Sequence, residues 1–223
     1  MTVPLHFDRI PGFQPQRAVA FVHGILGQGS NLRTIARRFV EQRPGWTVWL
    51  VDLRGHGQSP KSTPDATLES AARDLVALGE QGDLPLSAIV GHSFGGKVAL
   101  EVARLDQTPS LQHVVVIDSM PGAREPILGL GSALAVIGAI QALPRVFSSI
   151  SEFIRNLVAA GFTRQLAQWL AGSLERNGNE VRFALDLREI RALLDDYFAR
   201  DLWPVVEHPP GTTRVHLVIG ERS

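Results

Sequence analysis

The chain has 223 residues, 44% of them hydrophobic and 20% charged, with a formal net charge of zero. That length and mix suit one globular domain with a sizeable core, and the charge balance excludes a global field that would draw nucleic acid or an anionic membrane. Because there is no cysteine, a disulfide framework and thiolate metal sites are excluded, and a reducing, cytoplasmic setting is expected.

The N-terminal "MTVPLHFDRIPGFQ" lacks the basic start and apolar run of a signal peptide. Strand and helix patterns then alternate. "AVAFVHG" (Ala18 to Gly24) reads as a strand, and "SNLRTIARRFVEQ" as a helix capped by Ser30 or Asn31. "WTVWLVDL" (Trp46 to Leu53) is a strand, and "TLESAARDLVALGEQG" a helix with Thr67 as N-cap and Gly82 just past its end. "SAIVGHS" (Ser87 to Ser93) runs straight into the helix "FGGKVALEVARL", and "HVVVIDS" (His113 to Ser119) is the next strand. These nearly continuous apolar strands predict a doubly wound, mostly parallel α/β sheet covered on both faces.

The alternation stops after Met120. From Gly122 to about Arg200 the patterns are helical, with no convincing strand. "PILGLGSALAVIGAIQALP" (Pro126 to Pro144) is uncharged, but its prolines, glycines and polar residues fit a buried or substrate-facing helix rather than a membrane span. Apolar groups recur at helical spacing as Ile127, Leu130, Leu134 and Ile137, offset from Val136, Ile140 and Leu143. A second stripe holds Phe147, Ile150, Ile154, Leu157 and Val158. "HPPG" (His208 to Gly211) then breaks the chain, and the strand "RVHLVIG" (Arg214 to Gly220) follows. The expected organisation is a first core part over 1–121, a helical lid over 122–203, and a returning core strand in 204–223.

Gly91-His92-Ser93-Phe94-Gly95 satisfies G-x-S-x-G with a strand before it and a helix after it, the context of a nucleophile elbow. Gly91 and Gly95 remove side chains that would clash at the turn, and Gly96 lets the helix pack closely on its strand. The plainer alternative is a Gly/Ser turn that only connects two elements. A nucleophilic serine needs an oxyanion hole. The Phe94 amide is one candidate donor. The second comes from "HGILGQG", with Ile25 as first choice and Leu26 as second. His23 precedes the serine in the chain, so it is expected to brace that loop.

"HGILG", "VDLRGHGQSP" and "GHSFGGK", in this order, resemble the alpha/beta-hydrolase superfamily, and more narrowly small bacterial carboxylesterases of the YbfF type. "VRFALDLREIRALLDDYFARDLW" is similar to the end of their lid. The resemblance implies a serine, acid, histidine order. It assigns Asp52, Arg54 and His56 to holding a loop rather than to chemistry. The superfamily's usual acid position falls on Ser223, whereas the esterases that this chain resembles carry the acid one strand earlier and a serine at the later place. The resemblance therefore makes Asp118 the acid and Ser223 a helper in the same network. The residues alone leave open that Asp118 caps a turn before Pro121. Glu221 is a weaker rival, and Asp195, Asp196 and Asp201 read as solvated lid residues.

No histidine after Ser93 fits the base. His113 begins a strand at the far sheet end, His208 falls in the connection back to the sheet, and His216 alternates into the interior of its strand. The resemblance places the base on a loop after a further strand, beyond Ser223. The expected activity is cofactor- and metal-independent hydrolysis of a small carboxylic ester or thioester with a hydrophobic acyl group through an acyl-enzyme, without nucleic-acid or membrane partners. Perhydrolysis or C–C bond hydrolysis would use the same serine. A ligand-binding or regulatory protein without turnover is the competing class. A nucleotide site is disfavoured, since "GILGQGSNL" lacks G-x-G-x-x-G spacing.

Overall fold

The computed structural model describes residues 1–61, 65–105, 108–126, 129, 132–178 and 180–220. In chain order the elements are β1 (Phe7–Pro11), β2 (Arg17–Val22), α1 (Arg33–Gln42), β3 (Trp46–Val51), α2 (Leu68–Gln81), β4 (Leu86–His92), α3 (Phe94–Leu105) and β5 (His113–Ile117). They are followed by α4 (Ala133–Ala142), α5 (Ile150–Ala159), α6 (Arg164–Leu170), β6 (Leu174–Asn177), β7 (Glu180–Phe183), α7 (Leu187–Ala199), α8 (Trp203–Glu207) and β8 (Arg214–Val218).

Six strands form one sheet in the order β1-β3-β2-β4-β5-β8. All neighbours are parallel except β1, which pairs antiparallel with β3. Alternate residues of the central strands go to opposite faces. Val19, Phe21, Val48 and Leu50 pack with Ala36 and Val40 of α1 on one side. Ala18, Ala20, Val22, Trp49 and Val51 join α2, α3 and the segment between β5 and β8 on the other. Both faces being covered explains why these strands read as unbroken apolar runs. The strand order reverses between β2 and β4, and the crevice at the carboxyl ends of such strands is where open α/β sheets take ligands.

Several expectations change. The segment between β5 and β8 is not wholly helical, since β6 and β7 pair as a separate antiparallel hairpin. Its strands carry one buried side chain, Val181, so no apolar run announces them. The inner face of α5 is Phe153 and Leu157, while Ile150 and Val158 are exposed. In the preceding stripe, Ile127 and Leu130 lie outside the described residues, and Val136, Ile137 and Ile140 are buried. Neither Ser30 nor Asn31 caps α1. A 3-10 turn over Gly29–Leu32 leads in, and Leu32 is the cap residue. The Thr67 hydroxyl does cap α2, accepting from the Ser70 amide. Asp196 is not merely solvated, because its carboxylate accepts the Leu68 amide at 2.7 Å and so ties α7 to the start of α2. His216 is exposed, beside His113 at 3.3 Å, because β8 ends the strand order and that side of it is uncovered among the described residues.

The loop after β3 is locked by a buried ion pair. The Arg54 guanidinium donates to both Asp74 carboxylate oxygens, at 2.7 and 2.9 Å, and to the carbonyls of Asp65 and Met1. The Val3 amide donates to the same carboxylate at 2.7 Å. Fork geometry and full hydrogen bonding satisfy both desolvated charges. Asp74→Ala would strand the guanidinium, so urea unfolding should show a loss of about 3–5 kcal/mol. A loss under about 1 kcal/mol, the worth of a surface pair, would show that the pair is not the clamp described.

Candidate active site

Ser93 stands between the end of β4 and the first residue of α3, with φ +51°. An L-residue in this left-handed region is uncommon and is held only where its surroundings fix it. Here the Ser93 amide donates to the Ile117 carbonyl at 2.8 Å, and the Ser93 carbonyl accepts from Gly96 at 2.8 Å. The glycines around it have no room for a Cβ. One on Gly91 would lie 2.1 Å from the Gly95 oxygen, and one on Gly95 would lie 2.6 Å from the oxygens of both His23 and Val22. On Gly96 it would meet Ser119 and Val116 side chains at 2.9 Å. The turn is thus pressed against β2 and β5 at once, and Ser93 is thrown out at the carboxyl edge of the sheet. Gly24, at the end of β2, faces the Ser93 and His92 side chains.

Ser93 opens onto a cavity of about 310 Å³ walled by Ile25, Phe94, Leu134, Leu194 and Phe198, with Arg124 at its edge. Arg124 lies over the Tyr197 and Phe198 rings, 5.8 and 5.7 Å from their centroids. Asp118 follows β5 as Ser93 follows β4, and the preceding residues His92 and Ile117 are register partners. Adjacent strands therefore deliver the two side by side. Asp118 also has positive φ, +48°. Its amide donates to the Val218 carbonyl at 2.8 Å and its carboxylate accepts the Gly220 amide at 2.6 Å, which joins it to the end of β8. Ser223 and Glu221 lie outside the described residues.

The family model described as alpha/beta hydrolase fold matches residues 17–209. The chain belongs to the alpha/beta-hydrolase family. Within it, the chain is 31% identical over 195 residues to a mouse sn-1-specific diacylglycerol lipase, covering 86% of this chain and 62% of that protein. It is 35% identical over 127 residues to the lipase LipV of Mycobacterium tuberculosis, covering 56% and 46%. The chain thus spans less than two thirds of these relatives. A solved structure of a marine microorganism esterase superposes with a TM-score of 0.81 at 21% identity, covering 98% of this chain and 92% of that one, and shares the fold.

The glycine-rich loop after β2 is held by histidines. His23 Nε2 accepts the Leu53 amide at 3.0 Å while Nδ1 donates to the Gly24 carbonyl at 2.8 Å. His56 Nε2 accepts the Leu26 amide at 3.2 Å while Nδ1 donates to the Arg54 carbonyl at 2.9 Å. Each pattern defines a neutral imidazole with its proton on Nδ1. The Leu26 amide is therefore spent on His56, and Leu26 itself sits at φ +63°. Of the two loop residues named from sequence, Ile25 is the one that lines the cavity. Asp52 fixes the same region by accepting from the Gly29 and Gln58 amides at 2.7 and 2.9 Å. Sequence reasoning missed Arg124, Tyr197 and Phe198. The aromatic pair in "DDYFARDLW" is the signal available for Tyr197 and Phe198, and Arg124 has none.

Among the described residues, no group of three or more His, Asp or Glu side chains could hold a metal ion, and no helix is long and apolar enough to cross a membrane.

Burial lowers His23 to about 4 and His56 to about 3 from an ordinary 6.5. The unfolded chain takes up these protons first, so the contribution is full above pH 6.5 and is lost as pH falls toward 4 and then 3. Urea midpoints should therefore already fall between pH 6.5 and 5, above the ordinary carboxylate range. A flat profile there would contradict the neutral clamp.

Proposed function

We propose that this chain carries the nucleophile, oxyanion donors and acid of a serine hydrolase acting on carboxylic esters with a hydrophobic acyl group. The observation that carries the reading is Ser93, held at positive φ at the mouth of an apolar-walled cavity at the sheet's carboxyl edge. The turn acts as a nucleophile elbow. Ser93 Oγ adds to the ester carbonyl while its proton passes to a general base. The carbonyl oxygen becomes an oxyanion that accepts from the Phe94 and Ile25 amides. Phe94 opens α3, so its N–H belongs to the first turn, whose amides lack partners within the helix. The base then protonates the departing alcohol, leaving an acyl-Ser93. Water repeats the sequence and releases the acid.

Asp118 orients the base, and Ser223 assists the same network. His23 and His56 are buried with both ring nitrogens engaged, and His113 and His216 pair on an exposed part of the sheet, so none of these four is offered as the base. Residues 122–203 act as a lid whose α4 and α7 supply the Leu134, Leu194 and Phe198 walls and exclude water from the acyl group. The lining supports an apolar acyl chain, and thioesters of such acids fall within the same chemistry.

A fluorophosphonate probe on full-length protein should label wild type and fail on Ser93→Ala. Labelling that survives the alanine change would move the nucleophile elsewhere, and wild-type protein that binds esters without turnover would favour a binding protein. Asp118→Asn should lower kcat by roughly 10³–10⁴-fold, as loss of the base-orienting carboxylate does in serine hydrolases. Wild-type turnover in that variant would overturn its role.

A further inference from the structure

Lys97 is the last residue of the "GHSFGGK" stretch and lies one turn beyond Ser93 on α3. It is wholly buried, which is rare for lysine. Its ammonium donates to three backbone carbonyls: Gly122 at 2.8 Å, Tyr197 at 2.7 Å and Arg200 at 2.7 Å. It also lies 4.6 Å from the Tyr197 ring centroid. These acceptors are not scattered. Gly122 is where the chain leaves the β5 edge, and Tyr197 and Arg200 are the last turn and C-cap of α7. Carbonyls at a helix C-terminus lack partners within the helix and carry the negative end of its dipole. One cation therefore ties both ends of the inserted segment to the helix that begins just after Ser93. The same end of α7 gives the cavity its Leu194, Tyr197 and Phe198 walls. The contact is reinforced by Phe94 and Tyr197, whose rings lie 5.8 Å apart, and by the Tyr197 and Ser119 hydroxyls at 3.3 Å.

We propose that Lys97 is a positioning residue, whose ammonium holds the α7 wall of the acyl cavity at a fixed distance from Ser93, so that loss of its donors loosens that wall. The catalytic consequence rests on Ser93 being the nucleophile, whereas the tether itself does not. Only the ammonium serves all three carbonyls. A neutral amine has two hydrogens and a lone pair, so one carbonyl loses its donor and faces the lone pair. Burial, with Arg124 acting in the same sense, brings Lys97 down to about 8, opposed by Asp201 and Asp196. That value lies below the unfolded 10.5, so losing the proton does not favour an opened state that solvates the amine, and the tether is tested by removing its donors rather than by pH.

The test uses the full-length protein and two independent readouts. In Lys97→Met, amide hydrogen exchange across 194–203 should accelerate by about tenfold or more while α3 and β5 keep their protection, the pattern of a local opening. With a p-nitrophenyl ester, KM should rise several-fold and kcat change less, the signature of lost binding-wall geometry rather than lost chemistry. Lys97→Gln, a milder change that keeps an amide donor, should lie between wild type and Lys97→Met in both readouts. Unchanged exchange in 194–203 in the variants, or uniform loss of protection across the protein in both, would overturn the proposal. A wild type with no ester turnover would count against Ser93 alone, and the exchange readout would still test the tether.

Discussion

The constraint on which the site depends is the lack of space between the β4–α3 turn and the two strands beside it. Gly95 lies against the carbonyls that end β2, and Gly96 lies against Val116 and Ser119 at the end of β5. No side chain fits at either contact, so the helix starts in direct touch with the sheet. The backbone must then turn within one residue, and Ser93 takes the left-handed conformation that this demands. A residue in that conformation costs about 1 kcal/mol or more and persists only when its neighbours overdetermine it. Asp118 repeats the arrangement on the next strand, again with positive φ and with its amide tied to β8. Two strained residues at the ends of neighbouring parallel strands are a stronger indication of a built site than either would be alone.

A second layer of order consists of buried polar groups that satisfy one another. Arg54 and Asp74 fix the loop after β3 to α2 and to the N-terminal segment. Asp52, His23 and His56 then carry that order into the glycine-rich loop beside Ser93. Every link is a hydrogen bond of defined direction, which apolar packing cannot supply. The consequence for the site is specific. His56 takes the Leu26 amide out of use, so the loop faces the cavity through Ile25.

Much of this was legible in the sequence. The parallel strands announce themselves because both sheet faces are covered, and the glycines at 91, 95 and 96 carry their steric reason openly. What stayed hidden follows physical rules as well. β1 pairs only at an edge, and two of the five residues in its "FDRIP" are charged, Asp8 and Arg9, in ion pairs to Arg33 and Asp83. Charge on an edge strand blocks further pairing, and it also erases the apolar pattern. The β6–β7 hairpin has one buried side chain, and its only local signal is Asn177-Gly178, with Gly178 at φ +59°. His216 was placed on the wrong face because a period of two sorts residues between faces without telling which face is covered. The amide of Leu26 and the wall formed by Tyr197 depend on contacts between residues far apart in the chain, and no local pattern encodes them.

The way the inserted segment is attached also bears on how such a site would work. Its helices bury Phe153, Leu157, Leu193 and Tyr197 in the same cluster as the sheet core, and that contact is non-directional and tolerant of small shifts. At the end nearest Ser93 a polar attachment is added to that packing, one cation on three carbonyls. An ammonium so placed holds only while every partner stays within hydrogen-bond reach, so it fixes position rather than adding bulk stability. Apolar packing thus keeps the segment on the domain, and the Lys97 tether bears on its register over Ser93. Dividing these duties separates what keeps the segment on the core from what fixes the distance of its cavity wall.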